Sequence, residues 1–138
     1  MLIETDLLIA LARAHDKHHK EAVALVKRYR GSLLLSPYTT IELDLIVKSG
    51  NIRVKDYSKF FFSLHKLIKF YEIKIVEPKF SHVSKAYELR ALYNLSFFDS
   101  LHATVAVLEK VPLVSYDNVY RKVSEVKYIH PLDLLNSK

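Results

Sequence analysis

Four short segments of the sequence place a carboxylate at the point where an apolar run gives way to a helical pattern. These segments are residues 2–6, 36–42, 97–103 and 113–117. Oxygen ligands distributed along a chain that has no cysteine suit Mg²⁺ or Mn²⁺ better than softer metal ions. Two or more carboxylates that hold such an ion can activate a water molecule for attack on phosphorus and stabilise the leaving oxygen. The candidate ligands are Asp6, Glu42, Asp99 and Asp117, with Glu4 beside the first of them.

Three of these acids also have a purely structural interpretation, as helix caps or turn residues. Asp6 would cap a helix that begins at residue 7, and Asp117 would begin a turn with Asn118. Asp99 would be the third residue of a capping box opened by Ser96. For any one of the three taken alone, capping is the more economical explanation.

Capping explains Glu42 poorly, and the surroundings of Asp99 also argue against it. Ser36 and Pro37 supply an N-cap and a first helical position, so Glu42 is expected more than a turn inside its helix. Asp99 opens the most apolar helical segment of the chain, so its polar end should meet the strand ends. Buried carboxylates need cations or protons to offset their repulsion and desolvation. A divalent metal ion would do this directly.

The elements that must position these acids alternate short strands with longer helices. Strands are predicted at residues 2–4, 33–35, 73–76 and 113–115, with a fifth if residues 127–129 form one. Helices are predicted at residues 7–14, 16–30, 37–48, 53–71, 80–93 and 98–109. This alternation indicates an α/β fold in which a parallel sheet carries helices on both faces. Active sites of such sheets lie outside the carboxyl ends of the strands, where the acids are placed.

Composition narrows the classes of function. The 138 residues predict one domain, and the net charge of +6 favours a polyanionic partner such as nucleic acid. The two glycines, Gly31 and Gly50, are too few for a phosphate-binding loop and are both predicted as helix stops. Absence of a Gly-x-Ser-x-Gly elbow disfavours a serine hydrolase. No apolar run approaches the roughly 20 residues of a membrane helix, so we expect a soluble, cytoplasmic protein.

Taken together, these segments resemble PIN-domain proteins, in particular the VapC-type toxins and their archaeal relatives. The resemblance rests on the order of the acids and on three segments: the start Thr5-Asp6-Leu7-Leu8-Ile9-Ala10, residues 98–103 and residues 113–117. The resemblance covers essentially the whole chain. It implies a PIN-like three-layer α/β/α sandwich with a central, mostly parallel sheet of four to five strands. It also implies Mg²⁺- or Mn²⁺-dependent endoribonuclease activity on RNA, frequent homodimers and often a cognate antitoxin protein.

The resemblance also assigns site residues. The third family acid falls on Asp99, the last on Asp117, and the helix acid on Glu42. Ser115 stands at the hydroxyl position commonly found two residues before the last acid. Ser115, Thr5 and His102 are expected to support the site. His102, one turn after Asp99, could touch the substrate phosphate or the metal shell, or pack as a helix histidine bonded to backbone.

The first acid is where this sequence departs from the family pattern. The family register puts its usual Asp on Glu4 and its small polar residue on Asp6. In a strand, residues 4 and 6 would lie on the same side, so both could face the metal. We expect Asp6 as the direct ligand, with Glu4 as rival or co-ligand. A longer Glu would shift the metal or insert a water, which favours an alternative function: a weak or inactive PIN-fold module that binds RNA or another protein.

Two surface features bear on partners. Lysines recur on the polar side of the predicted helix 53–71 and would contact phosphates in a nuclease. The run Phe60-Phe61-Phe62 spreads aromatic rings over more than one helix face. Phe62 is the candidate for an exposed contact with a second subunit or an antitoxin helix.

Overall fold

The computed structural model describes residues 1–137 and contains a five-stranded sheet flanked by helices. The strands are β1 Leu2–Ile3, β2 Leu34–Leu35, β3 Lys74–Ile75, β4 Leu113–Val114 and β5 Tyr128–Ile129. The helices are α1 Thr5–Ala12, α2 His19–Arg28, α3 Thr39–Lys48, α4 Tyr57–Phe70, α5 Phe80–Tyr93, α6 Phe97–Glu109 and α7 Pro131–Asn136, with a 3₁₀ helix at Asn118–Lys122. Among these residues, no helix combines the length and the apolar character needed to cross a bilayer.

The sheet is parallel throughout, with the strand order β3-β2-β1-β4-β5. The chain moves outward from β1 through β2 to β3, then returns to the other side of β1 to form β4 and β5. The order therefore reverses between β1 and β4, which is where open α/β sheets form a crevice at their carboxyl edge. The predicted α/β architecture is confirmed, with five strands.

Alternation along the strands sends neighbouring side chains into two separate cores. Ile3, Leu35 and Val114 pack on the face that α1, α2, α3 and α4 cover. Leu2 and Leu113 point the other way, toward α5, α6 and the 3₁₀ helix. Two apolar cores around one sheet make the three layers of an α/β/α sandwich.

Several helix starts differ from their sequence predictions, among them those of α1 and α3. α1 begins at Thr5 instead of residue 7, because the carboxylate of Glu4 caps the helix by accepting from Thr5 N at 2.9 Å. α3 begins at Thr39 instead of Pro37. Ser36 Oγ accepts from Tyr38 N at 3.2 Å, so this serine closes a turn before the helix and does not cap it. Glu42 therefore lies in the first turn of α3, and not more than a turn inside the helix as the sequence predicted.

Other helix ends lie at capping residues and glycines that can be recognised in the sequence. Ser96 caps α6 by accepting from Asp99 N at 3.3 Å. The α4 cap is Asp56, so the helix begins four residues after the predicted residue 53. Gly31 and Gly50 follow α2 and α3 with φ of +80° and +81°, a conformation that glycine adopts without a Cβ penalty.

Candidate metal centre

The crevice between β1 and β4 collects polar side chains from four elements. Glu4 follows β1, Ser115 follows β4, Glu42 comes from α3, and His102 comes from α6. Three possible ligand atoms, one each from Glu4, Glu42 and His102, lie within 4.8 Å of one another. Carboxylate oxygens and an imidazole nitrogen at this spacing can hold one divalent cation.

Glu4 is the most buried acid of the site, with only 7% of its surface exposed. Its Oε1 accepts from Thr5 N at 2.9 Å, and its Oε2 accepts from Ser115 Oγ at 3.2 Å. Burial raises the pKa of Glu4 well above its ordinary value, and the negative charges of the neighbouring carboxylates raise it further. Those neighbours are Asp6, Glu42 and Asp99.

Asp6 is directed toward the end of β4. Its Oδ2 accepts from Ser115 Oγ and from Tyr116 N, both at 2.8 Å. Burial raises the pKa of Asp6, although these hydrogen bonds act in the opposite direction. Its Oδ1 is buried and has no hydrogen-bond partner among residues 1–137. A buried carboxylate oxygen without a partner is costly unless a cation or proton meets it.

The strand-based argument for placing Glu4 and Asp6 side by side was wrong in its geometry. The chain turns into α1 at Thr5, so Asp6 occupies a helical position and the two-residue alternation of a strand does not apply. The two carboxylates instead share Ser115 Oγ as a common hydrogen-bond donor. Glu4 is the acid grouped with Glu42 and His102, while Asp6 presents only its free Oδ1.

His102 is fully buried and faces the acids. Its Nε2 lies 2.9 Å from Glu42 Oε1, 3.5 Å from Glu4 Oε1 and 3.3 Å from Thr5 Oγ1. Burial would raise the pKa of Glu42, but hydrogen bonds to His102 and Thr5 and the electrostatic interaction with His102 outweigh it, so the net shift is downward. Of the two interpretations that the sequence left open for His102, contact with the site is the one that these distances support.

Asp99 and Asp117 are placed differently. Asp99 is partly buried, and its Oδ1 accepts from the hydroxyl of Tyr120 at 3.3 Å. Asp117 is exposed, and its Oδ1 accepts from Val119 N at 2.9 Å, which caps the 3₁₀ helix. Within residues 1–137, no hydrogen bond joins the Asp117 carboxylate to the other acids. The turn interpretation therefore describes the carboxylate of Asp117 as the structure places it.

Tyr120 is a site neighbour that the sequence did not reveal. It is fully buried, and burial together with the charges of Glu4 and Asp99 raises the pKa of its hydroxyl. Tyr120 lies in the 3₁₀ helix, three residues after Asp117, and this segment is too short for helical or strand periodicity to have located it. Its hydroxyl stays protonated and donates to Asp99.

A model of the PIN domain family matches residues 1–126 of the sequence. The chain belongs to the PIN domain family. Membership of the PIN domain family places this chain among proteins that are generally nucleases. The predicted resemblance to PIN domains is thereby confirmed. No curated protein sequence matches the chain.

Several solved PIN-fold structures are similar to this one. VapBC2 from Rickettsia felis, bound to a DNA fragment from its promoter, superposes with a TM-score of 0.74 at 14% identity, covering 94% of this chain and 98% of that chain. VapC20 from Mycobacterium tuberculosis, a toxin that cleaves the sarcin-ricin loop, has a TM-score of 0.70 at 15% identity, with coverages of 91% and 96%. PAE2754 from Pyrobaculum aerophilum has a TM-score of 0.67 at 22% identity, with coverages of 97% and 90%. At these identities, the likeness shows the fold.

Proposed function

We propose that this PIN domain is a Mg²⁺- or Mn²⁺-dependent endoribonuclease that hydrolyses RNA phosphodiester bonds. The observation that carries the proposal is the convergence of buried acids at the switch point between β1 and β4. Burial and mutual repulsion raise the pKa of Glu4, and Asp6 keeps a buried oxygen without a partner. A divalent cation offsets both costs, which explains why such an arrangement is retained in the fold.

The donor set fits the ion that the family implies. Glu4 and Glu42 would hold it, with Asp6 Oδ1 and Asp99 facing the same crevice, and Asp117 remains a predicted ligand at its rim. When bound, the ion would supply a Lewis acid and an activated water for in-line attack on phosphorus. The chain itself orients the donors. Ser115 and Tyr116 N fix Asp6, the hydroxyl of Tyr120 fixes Asp99, and His102 fixes Glu42.

Cleavage of RNA by variants of α3 and α6 tests the proposal. Asp99→Asn and Glu42→Gln remove a negative charge from the crevice at nearly constant shape. We expect each to lower the Mn²⁺-stimulated cleavage rate by at least about 100-fold, because each donor stabilises charge at the reacting phosphorus. Asp44→Asn is the matched control, since Asp44 lies on α3 two residues from Glu42 but is exposed. Undiminished cleavage by folded Asp99→Asn and Glu42→Gln proteins would contradict the proposal.

A second candidate function is a catalytically weak or inactive module that binds RNA or another protein. Two observations favour it: Glu4 stands where the family register expects Asp, and the carboxylate of Asp117 is engaged as a cap. Glu4→Asp distinguishes the two candidates. RNA binding without cleavage in both the native protein and Glu4→Asp, under Mg²⁺ and Mn²⁺, would establish the second function.

We further propose an antitoxin partner, a homodimer and a cytoplasmic location, where RNA substrates are found. Similar structures include a toxin–antitoxin complex from Klebsiella pneumoniae, which supports the antitoxin partner. For the homodimer, we propose the apolar face formed by Ile41, Val83, Tyr87 and Phe97, whose side chains line one groove between α3, α5 and α6. Phe62 on α4, which is 57% exposed, is the proposed contact for the antitoxin.

A further inference from the structure

We propose that His102 is itself a metal ligand, through Nε2, and that it makes the site select first-row transition-metal ions over Mg²⁺. This inference rests on the metal site of the proposed function. It differs from the acid-only ligand set expected from the sequence, because it adds a nitrogen donor. Imidazole suits first-row ions such as Fe²⁺, Ni²⁺, Cu²⁺ and Zn²⁺, with Mn²⁺ at the weak end of that series, whereas Mg²⁺ is bound through oxygen atoms and water. One side chain would therefore set the choice of ion.

The spacing of the donor atoms supports this assignment. Two neighbouring ligands on an octahedral ion with bonds of about 2.1 Å are about 3 Å apart. Nε2 of His102 lies 2.9 Å from Glu42 Oε1 and 3.5 Å from Glu4 Oε1, which is close to that separation. All three donor atoms lie within 4.8 Å of one another. The two carboxylates and the imidazole are thus already gathered as neighbours around one centre.

The ring of His102 presents Nε2, and not Nδ1, to the acids of the crevice. His102 is fully buried in α6, and Phe98 stacks on its ring at 6.3 Å between centroids. Its Nδ1 is buried and has no hydrogen-bond partner among residues 1–137. The proton of neutral His102 can lie on Nδ1 or on Nε2, and no hydrogen bond at Nδ1 favours either tautomer. The group that faces Nε2 therefore determines which tautomer is populated. Glu42 alone favours a proton on Nε2, whereas a cation held by the carboxylates favours a lone pair there.

The lack of a partner for Nδ1 also determines how much His102 is expected to contribute to Mn²⁺ affinity. Metal-bound histidines usually donate their remote N–H to an acceptor, which strengthens the bond to the metal. His102 lacks such an acceptor in the part of the chain that the structure covers, so its contribution should be at the low end for a ligand. We expect removal of the nitrogen to weaken Mn²⁺ binding by about tenfold.

The competing role is positional: His102 would only hold Glu42 by a hydrogen bond, with no bond to the metal. His102→Gln separates the two roles, because glutamine retains a side-chain N–H donor but offers no imidazole nitrogen. A positional role predicts equal losses of affinity for Mg²⁺ and Mn²⁺. Ligation predicts that Mn²⁺ affinity falls at least about tenfold while Mg²⁺ affinity changes less than about threefold.

Pulsed electron paramagnetic resonance of the Mn²⁺-loaded full chain tests ligation without any assay of activity. We expect modulation from a directly bound ¹⁴N nucleus, which changes to the ¹⁵N pattern when the protein is grown with ¹⁵N-histidine. The signal should vanish in His102→Gln. It should persist in His82→Gln, which alters another fully buried helix histidine outside the crevice, and in His15→Gln, which alters an exposed one.

The outcomes separate this inference from the proposed function. If Mn²⁺ binds and RNA is cleaved but no nitrogen coupling is seen in the native protein, His102 is not a ligand and the nuclease proposal stands. If coupling is present but RNA is not cleaved, the ligand assignment stands and the nuclease proposal fails. Coupling that survives His102→Gln, or absence of any Mn²⁺ binding, overturns the assignment. The native-protein spectrum keeps the test decisive even if His102→Gln does not fold.

Discussion

Glu4 holds a charge that its surroundings disfavour. Burial is the main reason that its pKa lies well above the ordinary 4.5, and three neighbouring acids add to the shift. The folded protein therefore binds the Glu4 proton more tightly than the unfolded chain does. Its contribution to stability is fully present below about pH 4.5 and is lost as pH rises through the raised pKa. Without a metal ion, the native protein should become less stable between weakly acidic and neutral pH.

Glu4→Gln tests this conclusion. In EDTA at pH 7–8, we expect the variant to be more stable than the native protein by about 1–3 kcal/mol, because a buried charge is removed at constant shape. The difference should shrink as pH falls below 4.5, where the Glu4 side chain becomes protonated in both the folded and the unfolded state. Urea unfolding across this pH range measures it. Glu77→Gln, an exposed counterpart, should show no such trend, and a Glu4→Gln protein less stable at pH 8 would refute the argument.

Adding Mn²⁺ should reverse the order of the two proteins. The native chain gains stability from an ion that binds only the folded state, and Glu4→Gln loses a ligand and gains less. Thermal unfolding with and without millimolar Mn²⁺ should show a larger rise in Tm for the native protein. Equal rises in Tm would mean that Glu4 does not hold the ion.

At the level of single residues, the sequence indicated which acids belong to the site, but it did not predict where their side chains point. Glu42 was singled out because it was predicted to lie more than a turn inside its helix. That prediction was wrong, since α3 begins at Thr39 and Glu42 lies in its first turn, but the Glu42 carboxylate does face the site and lies 2.9 Å from His102 Nε2. Asp6 was treated as part of a strand, and the switch to helix at Thr5 sends its carboxylate to Ser115 instead. That switch depends on a Glu4 cap, and glutamate is not among the usual capping residues. Local propensity therefore could not predict it.

At the level of elements, periodicity located every strand but not its extent. The ladders pair only two residues per strand, whereas the apolar runs that predict them extend further. Pairing depends on neighbours that are distant in sequence: β1 pairs with β4 across more than a hundred residues. No local sequence pattern predicts the order of the strands, and so none predicts the position of the switch point.

The C-cap residues of α5 and α6 both have left-handed backbone without being glycine, and their chemistry differs. Asn94 follows α5 with φ of 52°, and Lys110 follows α6 with φ of 56°. Asparagine tolerates this region, whereas lysine bears the steric cost of its Cβ. We expect Lys110→Gly to stabilise the protein by about 0.5–1 kcal/mol and Asn94→Gly to change stability by less than half as much. Chemical denaturation measures both, and an equal effect at the two sites would contradict this explanation.

At the level of the whole molecule, the acidic crevice lies on a chain of net charge +6. This net positive charge would attract an RNA backbone, while the crevice itself repels it in the absence of a divalent ion. The apolar face beside the crevice is also ordered before any partner binds. The guanidinium of Arg90 lies 4.7 Å from the ring centroid of Tyr87 and 4.8 Å from that of Phe97. Rings held in this way lose little entropy on docking.

Mutation of that face tests the proposed homodimer. Tyr87 is 65% exposed on α5, and Tyr87→Lys places a charge in the centre of the groove. We expect it to convert the dimer to a monomer at micromolar concentration, as measured by light scattering after size exclusion. Phe62→Lys, which alters an equally exposed aromatic residue on α4, should leave the dimer intact. If only Phe62→Lys caused dissociation, the dimer interface would have to include the α4 face that contains Phe62 instead of the proposed groove.

The parallel pairing of β1 with β4 has a consequence for the timing of synthesis. Glu4 leaves the ribosome well before Asp99, His102 and Ser115, which lie far downstream of it in the sequence. Until β4 has been made and has docked beside β1, Glu4 lacks Ser115 and Glu42 lacks His102. A ribosome-bound chain that ends before α6 therefore carries an incomplete site. The acid centre is therefore complete only after β4 has been synthesised and has paired with β1.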